Sequence, residues 1–260
     1  MKYLRLFQTV AEKQAATLDY PNVNYTIEND SLEIIAEDPV QPFGGLTVKY
    51  NIVDATQEVT LFKGGGGSST SSSSSESGGG ATLPSKMYVD GVEETPINTW
   101  RFETAGEHIV QYEFADDIIP AGFLDGNVPT ATEAIIGDDI TEISFDSGTN
   151  IGAFTNSTIT TATIGNGVTT IGQDAFVGCM SLTSVTIGTG ITSIGGSAFA
   201  DSNLSLASVT IKATTPPELG WDVFANSANN LVIYVPAASV QSYKGATNWS
   251  DYALEIEAIQ

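Results

Sequence analysis

The C-terminal half of this chain repeats itself at a fixed period. Val168-Thr169-Thr170-Ile171-Gly172 is followed four residues on by Phe176, then by Leu182 and the run Val185-Thr186-Ile187-Gly188. Twenty-three residues after Val168 the pattern restarts as Ile191-Thr192-Ser193-Ile194-Gly195, with Phe199, Leu206 and Val209-Thr210-Ile211 behind it. Upstream, Ile140-Thr141-Glu142-Ile143, Phe154 and Ala162-Thr163-Ile164-Gly165 fit the template after a short insertion near residues 147–150. Ile118-Ile119, Phe123 and Ala134-Ile135-Ile136-Gly137 make a degenerate first copy, and Phe224 with Leu231-Val232-Ile233 a last one, five in all. A period of this length means stacked supersecondary units, none of which can bury its apolar face alone.

Each copy reads physically. Val185 and Ile187 alternate with Thr186, so this is a short strand with its β-branched residues inward. Gly188 and Gly190 punctuate the turn that follows. Ile191 and Ile194 begin the return segment, and Ala198-Phe199 supplies a small residue and a large aromatic to fill the space between layers. The Gly-x-Gly pairs at 165–167 and 188–190 lack the third glycine and the helix of a dinucleotide site, so they read as turns.

Segments such as "VTTIGQDAFVGCMSLTSVTIG" and "ITSIGGSAFADSNLSLASVTI" resemble the BspA-like class of leucine-rich repeats. The ending is similar to that family's closing cap: Pro236-Ala237-Ala238-Ser239 leads into Val240, Tyr243, Trp249 and Tyr252, with Ser239 as a candidate N-cap. The resemblance covers roughly residues 116–260 and implies a short solenoid used for adhesion or recognition, without catalytic residues. The first copy lacks the usual leucine, and the insertion after Ile143 breaks the period.

Composition narrows the function. The net charge is −22 and the pI about 4.1, so a nucleic-acid backbone or an anionic membrane surface would be repelled. The acidity reads as solubility and colloidal repulsion; bound Ca²⁺ at Asp116-Asp117 or Asp138-Asp139 would need the alternating oxygen spacing that neither pair has. Cys179 is the single cysteine, which excludes an intrachain disulfide, and it fills a core-like slot before Met180 and Leu182. No stretch reaches membrane-spanning length. The first residues lack an apolar signal core, which leads to the expectation of a chain made in the cytosol. The sequons at Asn24, Asn29, Asn156, Asn203 and Asn248 then read as accidental.

The N-terminal half reads as smaller pieces. Tyr3–Phe7 suggests a strand, and the capping box Thr9-Val10-Ala11-Glu12 starts a helix over about Val10–Leu18. Val23–Ile27 and Leu32–Ile34 flank Asn29-Asp30 as a hairpin, and Leu46–Ile52 and Val59–Phe62 suggest two more strands. Residues 1–63 thus form an expected α+β attachment module. The segment "YLRLFQTVAEKQAATLDYPNVNYTIEND" loosely resembles N-terminal modules in structural proteins of tailed phages of gut bacteria, which implies a virion component. Residues 64–80, almost pure Gly and Ser, read as a flexible linker with a root-mean-square reach of roughly 20–25 Å. Residues 81–115, with Lys86–Val92, Trp100–Phe102 and the alternating run Gly106–Phe114, read as a small β (Ig-like) module. The expected organisation is therefore 1–63, 64–80, 81–115, repeats over 116–236 and a helical cap over 237–260. The fold class is α+β but mostly β.

No constellation of catalytic residues stands out. The single histidine, His108, has no positioned nucleophile, and there is no G-x-S-x-G elbow. One His and one Cys exclude zinc, and no cofactor or metal is expected. Paired carboxylates for glycoside hydrolysis would need a deep cleft, so an enzyme acting on carbohydrate is the least favoured reading. The strand residues on the open face, Thr163, Thr186 and Thr210, form one polar ladder: either a ligand-binding surface or ordinary exposed strand residues. Trp100, Trp221 and Trp249 lie in apolar neighbourhoods, which favours core or cap packing over stacking on sugars. The expected function is a non-enzymatic virion structural protein, a phage head or tail fibre or decoration protein. It would dock on capsid or tail proteins through residues 1–63, form a homo-oligomer such as a trimer, and present the repeats to a host surface protein or glycan. A bacterial cell-surface adhesin is the alternative.

Overall fold

The computed structural model describes the backbone of residues 25–28 and 31–34, and residues 43–63, 83–126, 130–202 and 205–260. The expected strand at Tyr3–Phe7, the helix at Val10–Leu18 and the Gly/Ser tract lie outside them. The chain divides into two compact units, Met1–Phe43 and Gly44–Gln260. In the first, β1 (Tyr25–Glu28) and β2 (Ser31–Ile34) pair antiparallel with Glu28 opposite Ser31, the expected hairpin.

The second unit is a β-solenoid with a lid at each end. Ahead of the repeats come β3 (Leu46–Ile52), β4 (Val59–Thr60), β5 (Lys86–Val89), β6 (Val92–Glu94), β7 (Thr99–Trp100) and β8 (Gly106–Glu113). Each coil then contributes a short strand, a Phe-bearing turn and a longer strand. The first coil has β9 (Ile118–Ile119) and β10 (Ala131–Ile136). The second has β11 (Glu142–Ile143), an inserted hairpin of β12 (Phe145–Asp146) and β13 (Ile151–Gly152), and β14 (Thr161–Ile164). The third has β15 (Thr170–Ile171) and β16 (Ser184–Ile187), the fourth β17 (Ser193–Ile194) and β18 (Ser208–Ile211), the fifth β19 (Glu218–Leu219) and β20 (Val232–Val235). A short helix, α1 (Val240–Gly245), and a final strand, β21 (Ile256–Ala258), close the chain.

The long strands run in parallel register, with Ala162 opposite Val185 and Val185 opposite Val209. Ala162, Ile164, Val185, Ile187, Val209 and Ile211 are buried, as strict alternation predicts. The short strands form a second parallel sheet of five, order β19-β17-β15-β11-β9. The third wall is made by the Phe turns, where Phe154, Phe176 and Phe199 donate their N–H groups to Ala175, Ala198 and Val223 of the following coil at 2.8–2.9 Å. Inside, the rings stack: Phe154 on Phe176 at 4.6 Å, Phe176 on Phe199 at 5.1 Å, Phe199 on Phe224 at 5.8 Å. This column supplies much of the apolar burial that a single coil lacks. The Gly-x-Gly turns are set by close approach: a Cβ at Gly167 or Gly190 would stand 1.7 or 2.0 Å from the carbonyl oxygen of Asp138 or Asn166 in the preceding coil.

Two expected boundaries are corrected. Leu46–Ile52 does not belong with the N-terminal module: β3 lies antiparallel on β10, with Ile135 opposite Thr47. Nor is 81–115 a separate module, because β8 pairs with β3, β5 with β8 and β6 with β5 in the same ten-stranded sheet as the repeats. The physical reason is the first coil's edge. An uncovered parallel strand exposes a row of unpaired N–H and C=O groups, and β3 covers it. Behind the lid, Phe62 stacks on Phe123 at 5.0 Å, and Tyr112 and Phe114 meet that ring edge-on.

The other end is closed as the family resemblance implies, by side-chain donors. Tyr243 Oη donates to Ala213 O (2.9 Å), Trp249 Nε1 to Pro217 O (2.8 Å), Asn248 Nδ2 to Leu219 O (2.6 Å) and Ser239 Oγ to Thr214 O (2.7 Å). These satisfy carbonyls that the last coil would otherwise leave to a sixth. Ser239 stands at the N-cap position of α1, as expected, but its side chain makes no capping bond. A 3₁₀ turn, Ala237–Ser239, runs straight into α1, and the hydroxyl is committed to Thr214.

Candidate functional site

The ten-stranded sheet has one buried and one open face, and Thr163, Thr186 and Thr210 do stand in one row on the open face, in direct register. The structure lengthens that row in both directions. Tyr88, Gln111, Thr47 and Ile135 precede Thr163, and Tyr234 and Glu257 follow Thr210. Two residues away along each strand, earlier on the parallel strands and later on antiparallel β3, a second row runs Lys49, Glu133, Thr161, Ser184, Ser208, Val232. Neighbouring strands sit about 4.8 Å apart, and same-face residues along a strand about 6.6 Å apart. Thr161, Thr163, Ser184, Thr186, Ser208 and Thr210 therefore make a two-by-three grid of hydroxyls.

Hydrogen bonding separates this grid from the threonine ladders at the coil corners. On the edges of the coils, Thr141, Thr169 and Thr192 donate their hydroxyls to the carbonyls of Asp117, Thr141 and Thr169 at 2.9–3.3 Å. Thr160 and Thr183 likewise donate to Thr132 O and Thr160 O, at 2.8 and 3.0 Å. Those hydroxyls staple coil to coil. Among the described residues, the six hydroxyls of the grid have no partner within the protein. In the lid half of the face the side chains are already engaged: Gln111 Nε2 reaches Thr47 Oγ1 at 3.4 Å, and Lys49 pairs with Glu133. The open hydrogen-bonding capacity is confined to the repeat strands. In a chain of net charge −22, the grid also carries no charge.

The sequence names one row and misses the second, Thr161, Ser184 and Ser208. Its signal is the period of two that puts residues i and i−2 on one face. Tyr234, at the end of the Thr row, is missed for the same reason.

Other candidates sit elsewhere. Trp249 is buried in the cap and Trp100 packs half-buried against the lid core, as expected. Trp221 departs from the packing expectation: the residue is 61% exposed, and its indole lies over Gly196, where only the missing Cβ makes room. Trp100, with Leu83, Glu94, Pro96, Ile97 and Asn98, lines an open cavity of about 630 Å³ at the lid. His108 is buried on β8 against Phe102, with Nδ1 2.6 Å from Asp90 Oδ2 and Nε2 2.8 Å from Thr104 O, a fastening for the β5–β6 turn. Cys179 is fully buried with Sγ 3.1 Å from Phe154 O, and desolvation pushes its thiol up to about 12, so it stays protonated and unreactive. It occupies, three residues after the stacked Phe, the slot that Ser157, Ser202 and Ser227 fill in other coils. Of the acidic pairs, Asp138 Oδ1 accepts the Asn166 N–H at 2.6 Å, and Asn166 Oδ1 in turn accepts from Thr189, a side-chain ladder along one turn.

The grid is an uncharged, regularly spaced field of hydrogen-bond donors and acceptors. Leucine-rich-repeat solenoids of this type are typically non-enzymatic adhesion or interaction domains. No curated protein matches this chain. The family model described as "BspA type Leucine rich repeat region" matches residues 138–246 in six copies, and this part of the chain is a BspA-type leucine-rich repeat region.

Proposed function

We propose that this protein is a non-enzymatic adhesion component of a virus particle, a head or tail fibre or decoration protein of a phage, which presents the hydroxyl face of its solenoid to a host surface. The observation that carries the adhesive part is the grid of six unpartnered hydroxyls on a repeat scaffold whose coil-corner threonines, Thr141, Thr160, Thr169, Thr183 and Thr192, are committed to bonds between coils. The particle assignment rests on the resemblance of the N-terminal segment to phage structural proteins and on its standing as a small unit of its own, residues 1–43, ahead of the display unit. Since residues 44–63 belong to the display unit, docking on capsid or tail proteins falls to residues 1–43. A symmetric oligomer, a trimer in the simplest case, would raise the avidity of weak sites.

The test is cryo-electron microscopy of intact particles with density or a specific antibody assigned to this chain. Symmetric positions, rooted through the N-terminal residues with the repeats outward, are the expected result. Particles that lack the chain, or its presence on uninfected cells, overturn the virion reading in favour of a bacterial surface adhesin.

A further inference from the structure

We propose, resting on the adhesive reading above, that the hydroxyl grid binds a neutral polysaccharide laid across the strands, along the solenoid axis, with Tyr234 as the stacking platform at the end of the row. Four observations converge on this ligand class.

The first is chemical symmetry. A Ser or Thr hydroxyl donates one hydrogen bond and accepts up to two, as a sugar hydroxyl does, so each contact forms with either partner as donor. The second is charge. The grid bears none, and the chain around it carries −22, so a polyanionic glycan is repelled and a cationic peptide finds no carboxylate among Thr161, Thr163, Ser184, Thr186, Ser208 and Thr210. The third is periodicity. A pair of hydroxyls recurs on each of the three long strands β14, β16 and β18, in register. A polymer of like units can use such a repeat, whereas a folded protein docks through one or two aromatic or Arg anchors in pockets, which this field of short side chains does not offer. The fourth is the aromatic: Tyr234 stands directly beside Thr210 in the row, where a ring can meet the apolar C–H face of a sugar. β-Branched threonines on strands lose little rotamer freedom on binding, which favours shallow contacts of this kind.

The full-length protein is run in native gels cast with a neutral glucan, mannan, galactan or xylan, and with heparin as a polyanion. Wild type is expected to be retarded by at least one neutral polymer and not by heparin. The triple variant Thr163→Val, Thr186→Val, Thr210→Val keeps the volume and removes three hydroxyls; circular dichroism melting checks that it is folded. It is expected to bind at least about tenfold more weakly, the effect of losing three such hydrogen bonds. Tyr234→Ala is expected to weaken binding without abolishing it. Retardation that survives the triple variant overturns the site, and retardation by heparin alone overturns the ligand class. Adhesion to host cells, measured in parallel, separates the two readings. If the protein sticks to cells through the grid but no neutral polymer binds or competes, the polysaccharide proposal is wrong and adhesion stands. If it sticks to no cell, the adhesive reading itself fails.

Discussion

The division of threonines into stapling and displayed sets makes a quantitative prediction. Two triple variants carry the same chemistry: Thr141→Val, Thr169→Val, Thr192→Val on the coil edges, and Thr163→Val, Thr186→Val, Thr210→Val on the open face. In the first, each substitution deletes one hydroxyl-to-carbonyl bond of 2.9–3.3 Å between adjacent coils. The accepting carbonyls are not orphaned, because each also accepts a backbone N–H: Thr141 N to Asp117 O, Thr169 N to Thr141 O and Thr192 N to Thr169 O, at 2.8–2.9 Å. The loss is therefore the net value of a satisfied bond, about 1 kcal/mol or less each, or about 2–3 kcal/mol for three. For a unit of this size that lowers the melting temperature by roughly 4–12 °C. The displayed set has no intramolecular bond to lose, and valine is a good strand residue, so its cost is within about 0.5 kcal/mol. Thermal unfolding followed by circular dichroism reads both. Equal destabilisation by the two triples would show that the grid hydroxyls are engaged in folding, and the reasoning that frees them for a ligand would be wrong.

Two further predictions concern the ends and the core. Trp249→Phe leaves Pro217 O without its donor and opens space beside Tyr243, so the cap should lose about 2–3 kcal/mol, with hydrogen exchange rising first in the last coil. Unchanged exchange there would place the cap's hold elsewhere. Burial raises the Cys179 thiol to about 12 and raises the Tyr50 and Tyr112 phenols. The unfolded chain therefore loses these protons first, and stability present below about pH 8.5 should fall as pH rises through the alkaline range. Cys179→Ser, which matches the slot's occupant in neighbouring coils, should make the alkaline slope shallower; an unaltered slope assigns it to the tyrosines.

The solenoid is legible in the sequence because its determinants are local and periodic. The Phe of each turn, the β-branched alternation and the Gly-x-Gly turns all recur within one coil, and the hairpin insertion announces itself as a break after Ile143. The lid is not legible. Leu46–Ile52 reads as a strand, but nothing local says that its partner is β10, more than eighty residues on, since the pairing is dictated by an edge that exists only once the coils have stacked. The roles of the threonines are half legible. Thr160 and Thr161 are adjacent and alike in sequence, yet one staples to Thr132 and the other stands on the open face, because Thr160 sits at the corner just before β14 and Thr161 on the strand itself. Trp221 eludes the pattern because its exposure depends on Gly196 in the coil before.

Because each coil contacts only its neighbours and the two lids are separate structures, the length of the display face can change without changing its ends. A second copy of residues 168–190 inserted after Gly190 supplies Val168 where Ile191 now follows, a matched apolar position, and adds one Phe to the stack and one pair of hydroxyls, Ser184 and Thr186, to the grid. The enlarged chain should fold with a melting temperature at or above that of the parent, since it gains an interface of the kind already repeated and exposes no new edge. Its retardation by whichever neutral polymer binds the parent should increase, while binding of an oligosaccharide too short to span the existing grid should not. A folded variant with unchanged affinity for the long polymer would mean that the ligand touches one end of the face, near Tyr234, and that the repeating hydroxyls are not the feature it reads. A variant that fails to fold would show that the lids sense each other across the coils, against the nearest-neighbour logic on which the whole reading of the repeat depends.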